Sequence, residues 1–275
     1  MKKILNFSGR LLIILMIGMI APAFQSCEDP LSVNIFPVSR DVELGKELDR
    51  QIRSNPSEFP ILNNKTITQY LQNMVDSIVL SPMIDYRNRF AYTVTVIDDD
   101  ETVNAFAAPG GYLYVYTGLM KFLDNEATMA GILAHEVAHA ELRHATQRIT
   151  KAYGAQFLAN LLLGDDPSQL ETVVGEILTN LALLKNSRDD EYEADEYSFN
   201  YLQSTRWYPG GIIFFFEKVD QDRDAGFLQE LLSTHPLPQD RMQKMEQMIN
   251  NAGLPDPDEG NLFTQRYIQY RSMLP

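Results

Sequence analysis

Apolar residues recur three and four positions apart in "DVELGKELDRQIRSN" and again in "TITQYLQNMVDSIVL", so the folded region is predicted to open with two amphipathic helices. The rhythm changes at "FAYTVTVI", where β-branched and aromatic residues crowd together as they do in a strand, and "DDDE" after it reads as a polar turn. "TVNAFAAPGGYLYVYTG" predicts two further strands around a Pro-Gly-Gly turn. From about Leu119 the pattern is helical again. "DNEATMAGILAHEVAHAELRHATQRI" is predicted as one long helix, with Asp124 or Asn125 as its N-cap and Glu126 in the first turn. Beyond it, "FLANLLLG" and "TVVGEILTNLALL" are too short for membrane spans, and Asp165, Asp166, Glu171 and Glu176 interrupt them. They are expected to be buried or capping helices. "GGIIFFFEKV" reads as core, and the proline-containing tail, residues 253–275, is expected to pack on the domain surface.

The 275 residues are 45% hydrophobic and 22% charged, a composition that supports one large globular domain. The net charge is −14 and no cluster of Lys and Arg appears, which excludes a phosphate-binding surface, so no nucleic acid partner is expected. The first thirty residues differ from the rest. A basic start, "MKKILNFSGR", leads into the apolar run "LLIILMIGMIAPAF", which has signal-peptide length. Cys27, the only cysteine, follows in "FQSC", which resembles a bacterial lipobox, although Phe24 stands where Leu is usual. The expectation is a lipoprotein signal over residues 1–26, a lipidated Cys27 and linker over 27–40, a catalytic domain over 41–252 and the tail. Lipid on Cys27 would tether the protein to a membrane.

Three of the four histidines fall within "GILAHEVAHAELRH". On a helix, positions four apart lie about 40° apart on one face. His135 and His139 can therefore share a small cation, and imidazole nitrogen suits zinc. Glu136 sits beside them, placed to take a proton from metal-bound water, as in the HExxH arrangement of zinc hydrolases. His144, about 140° around an unbroken helix from His139, is expected to be structural. A third ligand must come from elsewhere, and "NSRDDEYEADEYSFNYL" offers Glu191, Glu193 and Asp195. Glu191 and Asp195 share a face while Glu193 points about 200° away. Glu191 is thus expected as the ligand, with Asp195 holding the ring of a ligand histidine in the required tautomer. Glu193 reads as part of a solvated acidic face.

"HEVAH" followed about fifty residues later by "SRDDEYEAD" resembles the HtpX/BepA-like zinc metallopeptidases, peptidase family M48. "VNAFAAPGGYLYVYTGLM" resembles the strand pair ahead of that family's active-site helix, and "STHPLPQDR" resembles its Ser/Thr-His-Pro-x-x-x-x-Arg segment. The resemblance runs from about residue 41 to about 250. It implies an α+β, mainly helical, gluzincin-type zincin fold with a small antiparallel sheet beside the HExxH helix. It also implies one zinc ion held by His135, His139 and Glu191, with Glu136 as the base. In some relatives a histidine matching His235 covers the metal as a fourth ligand. Here His235 is a candidate gate or oxyanion donor, or else a structural residue, and Arg241 is expected to pair with an active-site carboxylate.

The strand around Asn104, Ala105, Phe106 and Ala107 is expected to form the edge of the cleft, where an extended peptide could add by backbone hydrogen bonds. Such binding favours unfolded or misassembled proteins as substrates. The resulting expectation is a zinc endopeptidase in quality control of the bacterial cell envelope, as a periplasmic or surface lipoprotein. The alternative is a gated or inactive relative serving as a chaperone or assembly lipoprotein. A prenyl-protein protease is disfavoured because its membrane-spanning chamber is absent.

Overall fold

The computed structural model describes residues 34, 36–154, 167–179, 185–222, 226–236 and 239–275, all within one compact unit. The expected signal, Cys27 and most of the linker lie outside these residues, as does "FLANLLLG". Helix α1 (Val38–Ser54) buries Leu44, Leu48 and Ile52, one turn apart along a single face. Helix α2 (Lys65–Val79) is capped by Asn64, whose side chain accepts from the Ile67 amide, and it buries Ile67, Leu71, Met74 and Ile78. Both occupy the stretches whose periodicity predicted them.

Strands β1 (Thr93–Ile97), β2 (Ala105–Ala108) and β3 (Tyr112–Tyr116) form one sheet in the order β1-β3-β2. Gly110 and Gly111 have φ of 73° and 85° in the turn between β2 and β3, a region open to glycine without a Cβ clash. The sheet is mixed rather than antiparallel throughout: β2 and β3 pair as an antiparallel hairpin, whereas β1 runs parallel to β3. The chain leaving β1 crosses to the far edge before the hairpin brings β3 back alongside β1. β2 is therefore an edge strand.

After a short helix α3 (Thr117–Phe122), helix α4 (Glu126–Glu141) runs through the centre with every residue buried. Asn125 supplies its N-cap, accepting from the Thr128 amide. Alanines and apolar residues on all sides let neighbours approach it from every direction. The predicted long helix does not continue. Arg143 takes a left-handed conformation (φ 62°), and a separate helix α5 (His144–Tyr153) starts after it. The left-handed geometry costs about 1–2 kcal/mol for a residue with a Cβ. Tertiary partners offset it: the Arg143 guanidinium donates to the buried carboxylate of Asp41 (2.5 Å) and to the Phe36 carbonyl.

Helix α6 (Pro167–Thr179) buries Val173, Val174 and Ile177 against the side of the core that holds α1, so this part of the apolar stretch is a packing helix. Helix α7 (Arg188–Leu202) begins with a reciprocal capping box between Ser187 and Asp190 and packs against α4 through Ala194. Helices α8 (Ile213–Gln221), α9 (Gln229–Thr234) and α10 (Gln239–Ala252) follow. The tail carries two short helices, α11 (Glu259–Leu262) and α12 (Thr264–Arg271), that its weak periodicity did not disclose. Side chains of α12 anchor it. Tyr267 is fully buried and donates to the Met120 carbonyl, and Arg266 pairs with the buried carboxylate of Glu126 at the start of α4. No helix among the described residues is long and apolar enough to cross a membrane.

Candidate metal centre

Helix α4 presents His135, Glu136 and His139, and α7 presents Glu191 and Asp195 across from them. The chain just after α9 adds His235, and α10 adds Arg241. Among the described residues, His135, His139, Glu191 and His235 form a buried group that offers four ligand atoms within 4.8 Å of one another. The His135 and His139 Nε2 atoms are 2.9 Å apart, and Glu191 places its oxygens 3.5 and 3.3 Å from them. His235 Nδ1 lies 3.1 Å from Glu191 Oε1. A tetrahedral ion bonded at about 2.0–2.1 Å requires ligand atoms roughly 3.3 Å apart, so the separations fit a single small cation. Two imidazoles and a carboxylate, with a fourth group nearby, also fit in donor chemistry.

The surrounding electrostatics favour the ligand states of Glu191 and His139, whereas His135 must lose a proton to bind a metal. Burial opposes ionisation of Glu191, but His235, Arg241 and the two ring nitrogens together hold its carboxyl well below the usual range. Burial and the neighbouring His135 push the His139 pKa down, which keeps the ring neutral. Burial also works against charge on His135, yet Asp195 and Glu191 outweigh it and raise its pKa to about 9. The His135 Nδ1 atom lies 2.9 Å from Asp195 Oδ1. Arg241, itself 3% exposed, donates to both Asp195 oxygens at 2.7 Å and to Glu191 Oε2 at 2.5 Å. One planar guanidinium thereby fixes both carboxylates.

Glu136 is buried beside this group. Its Oε1 is 3.6 Å from His235 Nε2, its Oε2 has no hydrogen-bond partner, and burial raises its pKa. A buried carboxylate oxygen without a partner is free to accept a proton. A cavity next to it is bounded by Asn104, Phe106 and Ala107 of the edge-strand region and by Glu136 and His139. Ala105 lines a second, apolar cavity together with His135, Glu136, Ile212, Phe215 and Phe216. The aromatic run assigned to the core thus also walls a space beside His135 and Glu136.

Three contributors escaped the sequence. Asn186 donates to His139 Nε2 and His235 Nδ1, each at 3.2 Å, and Arg148 donates to the Asn186 side chain. No spacing rule marks either residue. His144 was placed away from the metal by assuming an unbroken helix. The break at Arg143 instead turns its ring toward His139, with the two Nδ1 atoms 2.8 Å apart.

The chain is also similar to known metalloproteases. The chain is 28% identical over 261 residues to the beta-barrel assembly-enhancing protease of Escherichia coli (strain K12), covering 89% of this chain and 52% of that protein. It is 31% identical over 150 residues to metalloprotease YcaL of the same strain, covering 54% of this chain and 58% of the relative. Over 220 residues it is 27% identical to the mitochondrial metalloendopeptidase OMA1 of Schizosaccharomyces pombe, covering 78% of this chain and 63% of the relative. The chain spans about half the length of the beta-barrel assembly-enhancing proteases it matches. Residues 65–249, which hold every member of the metal cluster, match the sequence pattern of peptidase family M48. More than half of the chain lies inside that match, and the chain belongs to peptidase family M48.

Proposed function

We propose that the protein is a zinc-dependent endopeptidase that hydrolyses peptide bonds in unfolded or misassembled proteins of the bacterial cell envelope. The observation that carries this reading is the convergence of His135, His139 and Glu191 from two helices, with Glu136, one of whose carboxylate oxygens has no hydrogen-bond partner, beside them. Zinc, when bound there, supplies a Lewis acid that acidifies water and polarises the scissile carbonyl. Glu136 accepts the proton of the attacking water at its carboxylate and returns it to the departing amine nitrogen. One water and one amide thus yield a carboxylate and an amine. Asp195 orients His135, and Arg241 holds Asp195 and Glu191 in place. The edge of β2 that pairs with no strand among the described residues, around Asn104, Ala105, Phe106 and Ala107, receives the substrate as an added strand. Recognition through backbone groups admits many sequences and selects for unfolded chains.

His235 is assigned the role of gate. Its position 3.1 Å from Glu191 and 3.6 Å from Glu136 supports a resting state in which it occupies the fourth ligand position and withdraws when substrate enters. Lipid on Cys27 would keep the enzyme at a membrane of the envelope, where the resemblance of "FQSC" to a lipobox would place it.

The full chain in detergent, loaded with zinc, is expected to cleave casein, whereas Glu136→Gln should bind zinc equally well and leave casein intact. Equal cleavage by both proteins would reject Glu136 as the base. If neither cleaves, His235→Ala should release activity under the gated reading. Continued inactivity of that variant would favour the chaperone or assembly-protein alternative.

A further inference from the structure

His135 and His139 are supported on their far sides by different groups. The His135 Nδ1 atom lies 2.9 Å from Asp195 Oδ1, close enough for an ion pair although the geometry is off the line of a hydrogen bond. The His139 Nδ1 atom faces the Nδ1 of another histidine, His144, at 2.8 Å, and His144 Nε2 in turn lies 3.2 Å from Glu193 Oε2. The two rings are buried, at 5% and 1% exposure, whereas the Glu193 side chain is 51% exposed and reaches water.

A neutral imidazole carries one proton, and a carboxylate can only accept. These two facts give the chain of three groups a direction. Glu193 accepts from His144 Nε2–H, which leaves His144 Nδ1 without a proton. His144 Nδ1 can then only accept, so His139 must carry its proton on Nδ1 and donate. His139 Nε2 is left without a proton, and that is the atom turned toward His135 Nε2, Glu191 and the Asn186 amide that donates to it. We infer that His144 and Glu193 are positioning residues that hold His139 in its metal-binding tautomer, performing through two groups what Asp195 performs for His135 through one. This rests on the metal-centre reading above and extends it to two residues outside the ligand set.

The break at Arg143 makes the arrangement available. On an unbroken helix His144 would lie about 140° from His139. The left-handed Arg143 starts α5 in a new direction and returns the ring to the ligand. Glu193 reaches His144 from α7, two residues after Glu191. Alternate residues of one helix turn therefore serve the metal centre from opposite sides.

The test uses the full chain and zinc itself, with affinity measured by competition against a chromophoric chelator. Removing a group that orients a ligand typically lowers metal affinity by about 10–100-fold. His144→Phe retains a ring without an acceptor and is expected to lose affinity in that range. His144→Asn places an amide oxygen near the former Nδ1 and is expected to stay within several-fold of the parent. A residue needed only for packing would give the opposite order, with Phe tolerated and Asn not, and that order would overturn the inference. If the buried substitutions prevent folding, the half-exposed Glu193→Ala variant decides the matter through long-range nitrogen–proton NMR of the metal-free protein. The parent should show His139 protonated at Nδ1 alone. Glu193→Ala, with water as its replacement partner, should show a mixture of tautomers. An unchanged single tautomer would refute the role of Glu193. A parent protein that fails to bind zinc would reject the metal-centre reading itself, whereas tight binding unaffected in His144→Phe would reject only the inference drawn here.

Discussion

Gly45 lies on the buried face of α1, against the turn that joins β2 to β3. A Cβ built there would sit 1.8 Å from the Pro109 carbonyl oxygen, 2.8 Å from its carbon and 2.9 Å from Tyr112 Cδ2. Real Cβ contacts essentially never fall below 3.0 Å, so Gly45→Ala must push helix and turn apart by more than 1 Å. The main obstacle is backbone, which no rotamer change can relieve. The turn itself has little freedom, because Gly110 and Gly111 already occupy left-handed conformations. Alanine favours the helix over glycine by about 1 kcal/mol, but overpacking a closed contact costs about 1–3 kcal/mol and occasionally more. A backbone clash as close as 1.8 Å belongs at the upper end of that range, so the expected net result is destabilisation by about 2 kcal/mol. Because the turn continues directly into the proposed substrate edge, a displacement of this size should also reduce kcat/KM by about 10–100-fold. Urea unfolding of Gly45→Ala beside the exposed Lys46→Ala, which should change stability by less than about 0.5 kcal/mol, isolates the steric effect. A Gly45→Ala variant as stable as the parent, or more stable, would refute the reasoning.

Arg241→Met would leave Glu191 and Asp195 as buried carboxylates without their shared cation, at an expected cost of about 3–5 kcal/mol to the metal-free fold in urea unfolding. Arg241→Lys should recover only part of this, since an ammonium cannot span both carboxylates as a planar guanidinium does. Asn125→Ala removes the cap that accepts from Thr128 at the start of α4, and thermal unfolding should register a loss of about 1 kcal/mol.

Local patterns made a good part of the site legible. His135, Glu136 and His139 follow from helical spacing, because residues four apart share a face wherever the helix ends up. The preference for Glu191 and Asp195 over Glu193 on one face of α7 follows from the same periodicity. The hairpin of β2 and β3 was equally visible, since Pro109-Gly110-Gly111 between two apolar runs admits few other conformations. Periodicity failed where a single residue departs from it. Nothing in "AELRHATQ" marks Arg143 as left-handed, because the ion pair with Asp41 that offsets the strain comes from a helix about a hundred residues earlier. The bearing assigned to His144 failed with it, whereas Glu193 is exposed as its acidic face suggested and in addition reaches His144.

The sequence by itself therefore determined which side chains share a helix face, and with them the donor set a metal would need. Tertiary structure decided which faces meet. It brought α7 against α4, turned His144 back onto His139, set Arg241 across two carboxylates and placed Asn186 and His235 at the ligand atoms. The physical reason is the range of the forces involved. Helical geometry and turn chemistry act over a few neighbouring residues and can be read along the chain. A buried charge or ring nitrogen is satisfied by whatever partner packing delivers, however distant in sequence, and that partner is settled only when the chain is folded.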